Sequence, residues 1–254
     1  MPAPGAGACA CLIVPCYNEA ARINSASFRA FFDANSSVRF LFVDDGSRDS
    51  TAAVLEQLCL GHEQRAGILR LKQNHGKAEA VRLGMLHALD HYQPRLVGFW
   101  DADLATPLET VNAFLQILDE RSAIEMVFGS RVKLLGRRVE RRAVRHYLGR
   151  VFATVVSIML RLPIYDTQCG AKLFRVTPAL RTVFSEPFLS KWVFDVEILA
   201  RYLNLNGRNP KLLEPLIYEY PLDAWVDIAG SKVHPGDFFT ALIDIARIKA
   251  RYLS

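Results

Sequence analysis

Five short apolar runs in the first half of this chain, at about residues 8–14, 38–43, 67–71, 96–100 and 124–128, each end in a polar motif. Stretches of helical spacing separate them. The first runs from about Glu19 to Phe32, and the second from a cap at Asp49 or Ser50 to Leu60. The third starts at Gly76-Lys77 with Val81, Met85 and Leu89 on one face. The fourth opens on Thr106-Pro107-Leu108-Glu109, a capping box with Pro at the first helical position. Repeated units of this kind predict an α/β fold, a mostly parallel sheet with helices on both faces. Ligands in such folds bind beyond the carboxyl ends of the strands.

That rule collects the polar motifs on one rim: Pro15-Cys16-Tyr17-Asn18-Glu19, Asp44-Asp45-Gly46-Ser47, Asn74-His75-Gly76-Lys77, Asp101-Ala102-Asp103 and Gly129-Ser130-Arg131. Any one of them reads equally as a solvated turn. Five on the same edge point to a site. Asp101 and Asp103 are the most specific pair, because residues two apart on a strand share a face. Like charges so placed repel unless a cation lies between them, and hard ions such as Mg²⁺ or Mn²⁺ take carboxylate oxygens and bring phosphates with them.

A chain of 254 residues, 51% hydrophobic, fits one domain spanning 1–254. It divides into a half at about 8–131, which holds the five motifs, and a second half at about 132–254. Cys9, Cys11, Cys16, Cys59 and Cys169 are an odd number without zinc-type spacing and read as reduced thiols, which favours a cytoplasmic protein. Residues 1–8 lack the pattern of a signal peptide.

The net charge of +5 is local: Arg137, Arg138, Arg141, Arg142, Arg145 and Arg150 face a single acid, Glu140, in one segment. That segment opens a helical stripe over 140–162, with Val144, Leu148, Val151, Val155, Ile158 or Met159, and Leu162 at steps of three and four. It is too short, and interrupted by Arg161, to span a bilayer. A basic amphipathic helix of this kind suits an anionic membrane interface; the alternative is a helix on the sheet with a solvated basic face. Aromatic residues are not interleaved with the arginines, so no nucleic-acid partner is expected.

The assembled motifs resemble those of the family-2 glycosyltransferases, which have the GT-A fold, a Rossmann-like arrangement. Residues 14–19, Val43 to Ser47 and Asp101 to Asp103 carry the resemblance first. It continues through Asp166-Thr167-Gln168-Cys169-Gly170-Ala171-Lys172-Leu173-Phe174, Trp192 to Glu197 and Gly230-Ser231-Lys232. Within the family the chain looks most like the polyprenyl-phosphate sugar transferases, nearest to those that move glucose, with mannose transferases next. The latter carry a Gln two residues after the second metal-motif Asp, where this chain has Ala105. Metal binding would then lean on Asp101, Asp103, the substrate diphosphate and water. Relatives often carry a membrane anchor at one end; none is recognisable here, which would leave membrane contact to the basic helix.

The resemblance implies inverting, Mg²⁺- or Mn²⁺-dependent transfer of a hexose from a nucleotide sugar, UDP-glucose before GDP-mannose, to a polyprenyl phosphate at the cytoplasmic face of a membrane. Asp101 and Asp103 would hold the metal, with Arg131 and Lys232 as fixed positive partners. Pro15 would set the loop into the site and Tyr17 cover the base. Glu19, Asp44 and Asp45 would accept hydrogen bonds from base or ribose, with Ala102 lining the donor site. Lys77, at a helix N-terminus, would reach the nucleotide or else be a solvated first-turn lysine. Gln168 would touch the sugar. Arg138, Arg141, Arg142, Arg145, His146 and Arg150, with Arg131, would meet acceptor phosphate and membrane. A prenyl phosphate is ionised at pH 7, so Asp195, placed where relatives keep a base, would hold sugar hydroxyls or the surroundings of the metal. Cys169 is not expected to be a nucleophile. Two other readings compete: a soluble family-2 transferase acting on a hydroxyl, which needs Asp195 as base, and a catalytically silent nucleotide- or nucleic-acid-binding module.

Overall fold

The computed structural model describes residues 9–133, 135–136, 138–140, 143–226 and 235–254. Its strands are β1 (Ala10–Cys16), β2 (Val38–Asp44), β3 (Ala66–Arg70), β4 (Leu96–Trp100), β5 (Met126–Ser130), β6 (Arg138–Glu140), β7 (Ala171–Arg175), β8 (Ile217–Pro221) and β9 (Ala224–Val226). The main sheet has the order β3-β2-β1-β4-β7-β5-β8, and β6 pairs with β9 in a small separate ribbon. All main-sheet pairings are parallel except those of β7, which runs antiparallel between β4 and β5.

Helices cover both faces. Residues of α1 (Ser25–Ala34), α2 (Thr51–Cys59) and α4 (Thr110–Glu120) pack into one core with Ala10, Leu12, Val14 and Cys16 of β1. The other core takes Cys11 and Ile13, with α3 (Lys77–His91), α5 (Ala143–Leu160), α6 (Pro178–Ser185), α7 (Phe194–Leu205) and α9 (Pro235–Ile248). Alternate residues of β1 thus feed opposite cores, as the period of two requires of a strand buried on both sides. Gly84 lets α3 lie close to β1: a Cβ there would come within 2.4 Å of Ile13 Cγ2.

Three local expectations need correction. The helix expected from Glu19 begins at Ser25. The backbone N–H groups of Asn18, Glu19 and Ala20 donate instead to Ser47, Thr51 and Asp49 across the neighbouring loop, and Asn24 becomes the cap by accepting from Ser27. The capping box at Thr106 does not form, and α4 begins at Thr110. Thr106 is buried and its carbonyl accepts from the Trp100 indole (2.9 Å), so it serves the core rather than a helix end. Pro15 lies inside β1, paired with Val43, rather than in the loop beyond it. The ladder from β1 to β4 ends at Ile13, two residues before this missing N–H.

Along α5 the apolar stripe is largely exposed: Val151, Val155 and Ile158 face outward while Val156 and Leu160 are buried. Apolar side chains therefore lie on two sides of this helix, and only one side meets the core. No helix among the described residues is long and apolar enough to cross a membrane.

Candidate active site

Beyond the end of β4 the chain turns sharply, with the non-glycine residue Leu104 at φ +52°. That sparsely populated conformation is held in place by its neighbours, as strained residues at sites tend to be. Asp103 Oδ1 accepts from the Ala105 N–H (3.1 Å), and the Asp101 N–H donates to the Gly170 carbonyl (3.0 Å). Gly170 leaves room for the Asp101 carboxylate, since a Cβ there would fall 1.9 Å from Oδ2. Gly170→Ala is expected to push this carboxylate aside and slow turnover about 10²-fold, the cost of a misplacement of order 1 Å. An unchanged rate in the folded variant would show that Asp101 swings clear freely.

Each of these carboxylates is met by a cation from the chain. Lys77, the first residue of α3, brings Nζ to 2.5 Å from Asp101 Oδ1. Arg22 lies 3.0 Å from Asp103 Oδ2 and 3.2 Å from the Glu19 carboxylate. Burial, and then the charge of Asp101, raise the Asp103 pKa. Burial works against the Lys77 ammonium, but Asp101 and then Asp195 hold its pKa above the ordinary value.

Among the described residues no group of three or more His, Cys, Asp or Glu side chains is placed to hold a metal ion. Two carboxylates leave most positions of an octahedral hard cation to other oxygens. This donor set therefore fits an ion shared with a diphosphate and water.

A cavity of about 340 Å³ lies beyond the ends of β2 and β3, lined by Asp44, Gly46, Ser47, Arg48, Arg70, Leu71, Lys72, Gln73 and Asn74. Asp44 is buried and accepts from the Ser47 N–H (3.0 Å). Asp45 does something else. Its carboxylate accepts from the His75 and Gly76 N–H groups (both 2.8 Å) and the Asn74 amide (3.0 Å). It is thus turned into the loop that delivers Lys77. Burial raises its pKa, and these hydrogen bonds only partly oppose that.

Behind the acidic pair sits a buried charge pair. Lys172, a fully buried residue of β7, lies 2.6 Å from Asp195 at the start of α7. The Phe99 and Phe128 rings flank its ammonium, at 5.2 and 5.3 Å. Burial raises the Asp195 pKa, with Lys172 and then Lys77 opposing. Burial also raises the Cys169 pKa.

On the far side Arg131 grips Asp166 with Nε (2.6 Å), NH2 (2.8 Å) and the backbone N–H (3.1 Å). Glu219 receives the N–H groups of Tyr165 and Asp166, and Arg150 stacks 3.7 Å over the Tyr165 ring.

The sequence model of glycosyl transferase family 2 matches residues 11–181, a segment that contains both the acidic pair and its cations. This chain belongs to glycosyl transferase family 2. The similarity extends over most of the chain to three curated relatives named dolichyl-phosphate beta-glucosyltransferase. One from Dictyostelium discoideum is 33% identical, one from Drosophila melanogaster 34% and one from Saccharomyces cerevisiae 31%. Each alignment covers 95% of this chain and 74% of the relative. Among solved structures, glucosyl-3-phosphoglycerate synthase from Mycobacterium tuberculosis, in complex with Mn²⁺ and UDP-glucose, superposes with a TM-score of 0.66 at 20% identity. That superposition covers 97% of this chain and 80% of the synthase, and with the sheet topology it makes this family-2 transferase a GT-A fold.

The transferase's expected residues fall into groups. Lys77, Asp101, Asp103 and Asp195 converge, Lys77 being coupled to all three acids. Ala102 is buried in the core beneath the turn, and Glu19 joins the group through Arg22. Tyr17 is half-buried in the loop after β1, and Gln168 buries an amide nitrogen that has no hydrogen-bond partner among the described residues. Arg131 and Arg150 meet around residues 165–166, and Arg138 is exposed on β6. The expectations for Arg141, Arg142 and Lys232 lie outside the described residues, as do the side chains of Arg145 and His146.

Arg22 and Lys172 were not anticipated. Lys172 had a signal, a lone charge inside the apolar run Ala171 to Phe174, which calls for a buried partner. Arg22 had none, since the helix expected there would have turned it to solvent.

Proposed function

We propose that this chain moves glucose from UDP-glucose to a dolichyl or other polyprenyl monophosphate, with Mg²⁺ or Mn²⁺ held by Asp101 and Asp103. The observation that carries this reading is the two-carboxylate site, which needs a diphosphate to complete a cation's ligands, in a chain 31–34% identical to dolichyl-phosphate glucosyltransferases. A bound divalent ion would neutralise the charge of the departing nucleoside diphosphate. Lys77, at the N-terminus of α3, donates to the diphosphate, where ammonium and helix dipole act together. Asp44 and the neighbouring cavity receive the nucleoside under Tyr17. The unpaired Gln168 amide donates to a sugar hydroxyl. Arg131, oriented by Asp166, and Arg150 set the positive side on which the acceptor phosphate lies.

An ionised phosphate oxygen attacks the anomeric carbon from the face opposite the leaving diphosphate, so the configuration inverts and no side chain has to remove a proton. A panel of radiolabelled UDP-glucose, GDP-mannose and other nucleotide sugars, incubated with short polyprenyl phosphates, tests the reading by counting label that partitions into organic solvent. Transfer from UDP-glucose is expected to dominate. Transfer only to glycan or small-molecule hydroxyls would overturn it.

The polyprenyl acceptor places the enzyme at a membrane surface, on the cytoplasmic face where nucleotide sugars are made. Val151, Val155 and Ile158 on α5, with Leu242 and Ile243 on α9, offer apolar contact, and the arginines of residues 137–150 offer charge for anionic headgroups. Each such charge contributes about 1 kcal/mol near an anionic surface, screened by salt. Replacing Arg138, Arg141, Arg142 and Arg145 with Gln is expected to weaken binding to anionic liposomes about 10³-fold at low salt. Affinity for UDP should be spared. Wild-type protein that ignores such liposomes would favour a soluble transferase.

A further inference from the structure

In this structure both members of the acidic pair already hold a positive charge supplied by the chain. Lys77 Nζ is 2.5 Å from Asp101, and Arg22 is 3.0 Å from Asp103. The two cations come from different segments, Arg22 from the stretch after β1 and Lys77 from the start of α3. Both side chains are partly open to solvent, Lys77 at 36% and Arg22 at 23%. A lysine or arginine this close to a carboxylate competes with a metal for the same oxygens. Asp45, by holding the Asn74 side chain and the His75 and Gly76 backbone, fixes the point from which Lys77 reaches.

We propose that Lys77 and Arg22 are placeholder cations. They neutralise Asp101 and Asp103 until the donor binds and then transfer to its diphosphate, so that divalent ion and nucleotide bind as one unit. This rests on the reading of Asp101 and Asp103 as metal ligands. Charge balance drives the coupling. A divalent ion entering alone adds two positive charges to a place where Lys77 and Arg22 already answer the carboxylates. A divalent ion with a diphosphate adds almost no net charge, and gives both displaced side chains an anionic partner. By thermodynamic linkage the factor by which nucleotide strengthens metal binding equals the factor by which metal strengthens nucleotide binding. The placeholders enlarge that factor from both ends: they oppose the metal alone, and they hold the diphosphate once the metal is in place. Such an enzyme avoids loading a metal without its donor.

The test measures Mn²⁺ binding to the full chain by electron paramagnetic resonance, alone and with saturating UDP, without any turnover. Lys77→Met is expected to bind Mn²⁺ alone about tenfold more tightly than wild type, the effect of removing one unit charge a few ångströms away in a partly solvated site. Its gain on adding UDP should shrink by at least that factor. Arg22→Gln should move both readings in the same direction. Thermal melting of both variants reports folding. Equal or weaker binding of Mn²⁺ alone to folded Lys77→Met would overturn the proposal. The double variant Lys77→Met/Asp103→Asn separates the two layers. If it binds Mn²⁺ as tightly as Lys77→Met does, Asp103 is no ligand, and the metal reading fails together with what rests on it. If it loses the gain, the ligand reading stands, and the single variants decide the placeholder question.

Discussion

Asp103→Asn is expected to lower glucosyl transfer about 10²–10³-fold, the usual loss when one electrostatic contact to the transition state is removed. The substitution keeps the side chain's shape. An amide oxygen can still accept from the Ala105 N–H, and the turn through Leu104 is undisturbed. What disappears is the negative charge that faces the cation, while the new NH₂ group turns toward Arg22 if the oxygen stays on Ala105. The Arg22–Asp103 ion pair is partly solvated, so its loss should cost stability no more than about 1 kcal/mol. A large fall in rate with a small change in melting temperature is therefore the signature. EDTA should abolish wild-type activity, and Mn²⁺ or Mg²⁺ should restore it. Full activity in chelator would remove the metal role from both carboxylates.

The parts of this molecule that were legible in the sequence are those determined by local pattern. β1, β2 and β4 are buried on both faces, so their apolar runs stand out. The polar motifs follow the strand ends because binding groups must lie beyond the carboxyl edge of a parallel sheet. What escaped depends on contacts between distant residues. β7 is hidden because residues 171–174 lie inside a longer motif, and nothing in five residues says that a strand will insert antiparallel between β4 and β5. Arg22 reaches Asp103 only because the 47–51 loop captures the backbone of residues 18–20 and delays α1. Asp44 and Asp45 are neighbours in one motif, yet one lines the cavity and the other braces a loop. Adjacent residues leaving a strand point to opposite sides, and only the fold says what waits on each.

Asp195→Asn separates transfer to a phosphate from transfer to a hydroxyl, and it should show a large effect on stability with a much smaller one on chemistry. Asp195 and Lys172 are both buried and lie 2.6 Å apart, with the aromatic rings of Phe99 and Phe128 around the ammonium. Removing one charge leaves the other buried without its counterion, which typically costs about 3–5 kcal/mol. Lys172→Met/Asp195→Asn removes both charges, so it should recover most of that loss. A carboxylate closed off by a lysine is badly placed to take a proton from an acceptor, and a prenyl phosphate has none to give at neutral pH. Loss of a true general base would cost about 10²–10⁴ in rate. Asp195→Asn should instead retain measurable transfer to polyprenyl phosphate at temperatures where circular dichroism shows it folded. In wild type and variant alike the rate should fall below about pH 6, where a phosphate monoester takes up its second proton. An acid limb that tracks the acceptor rather than residue 195 is what a pre-ionised nucleophile requires. If the variant folds, binds UDP and yet transfers to no acceptor, the mechanism without a base is wrong, and Asp195 takes part directly in the chemical step.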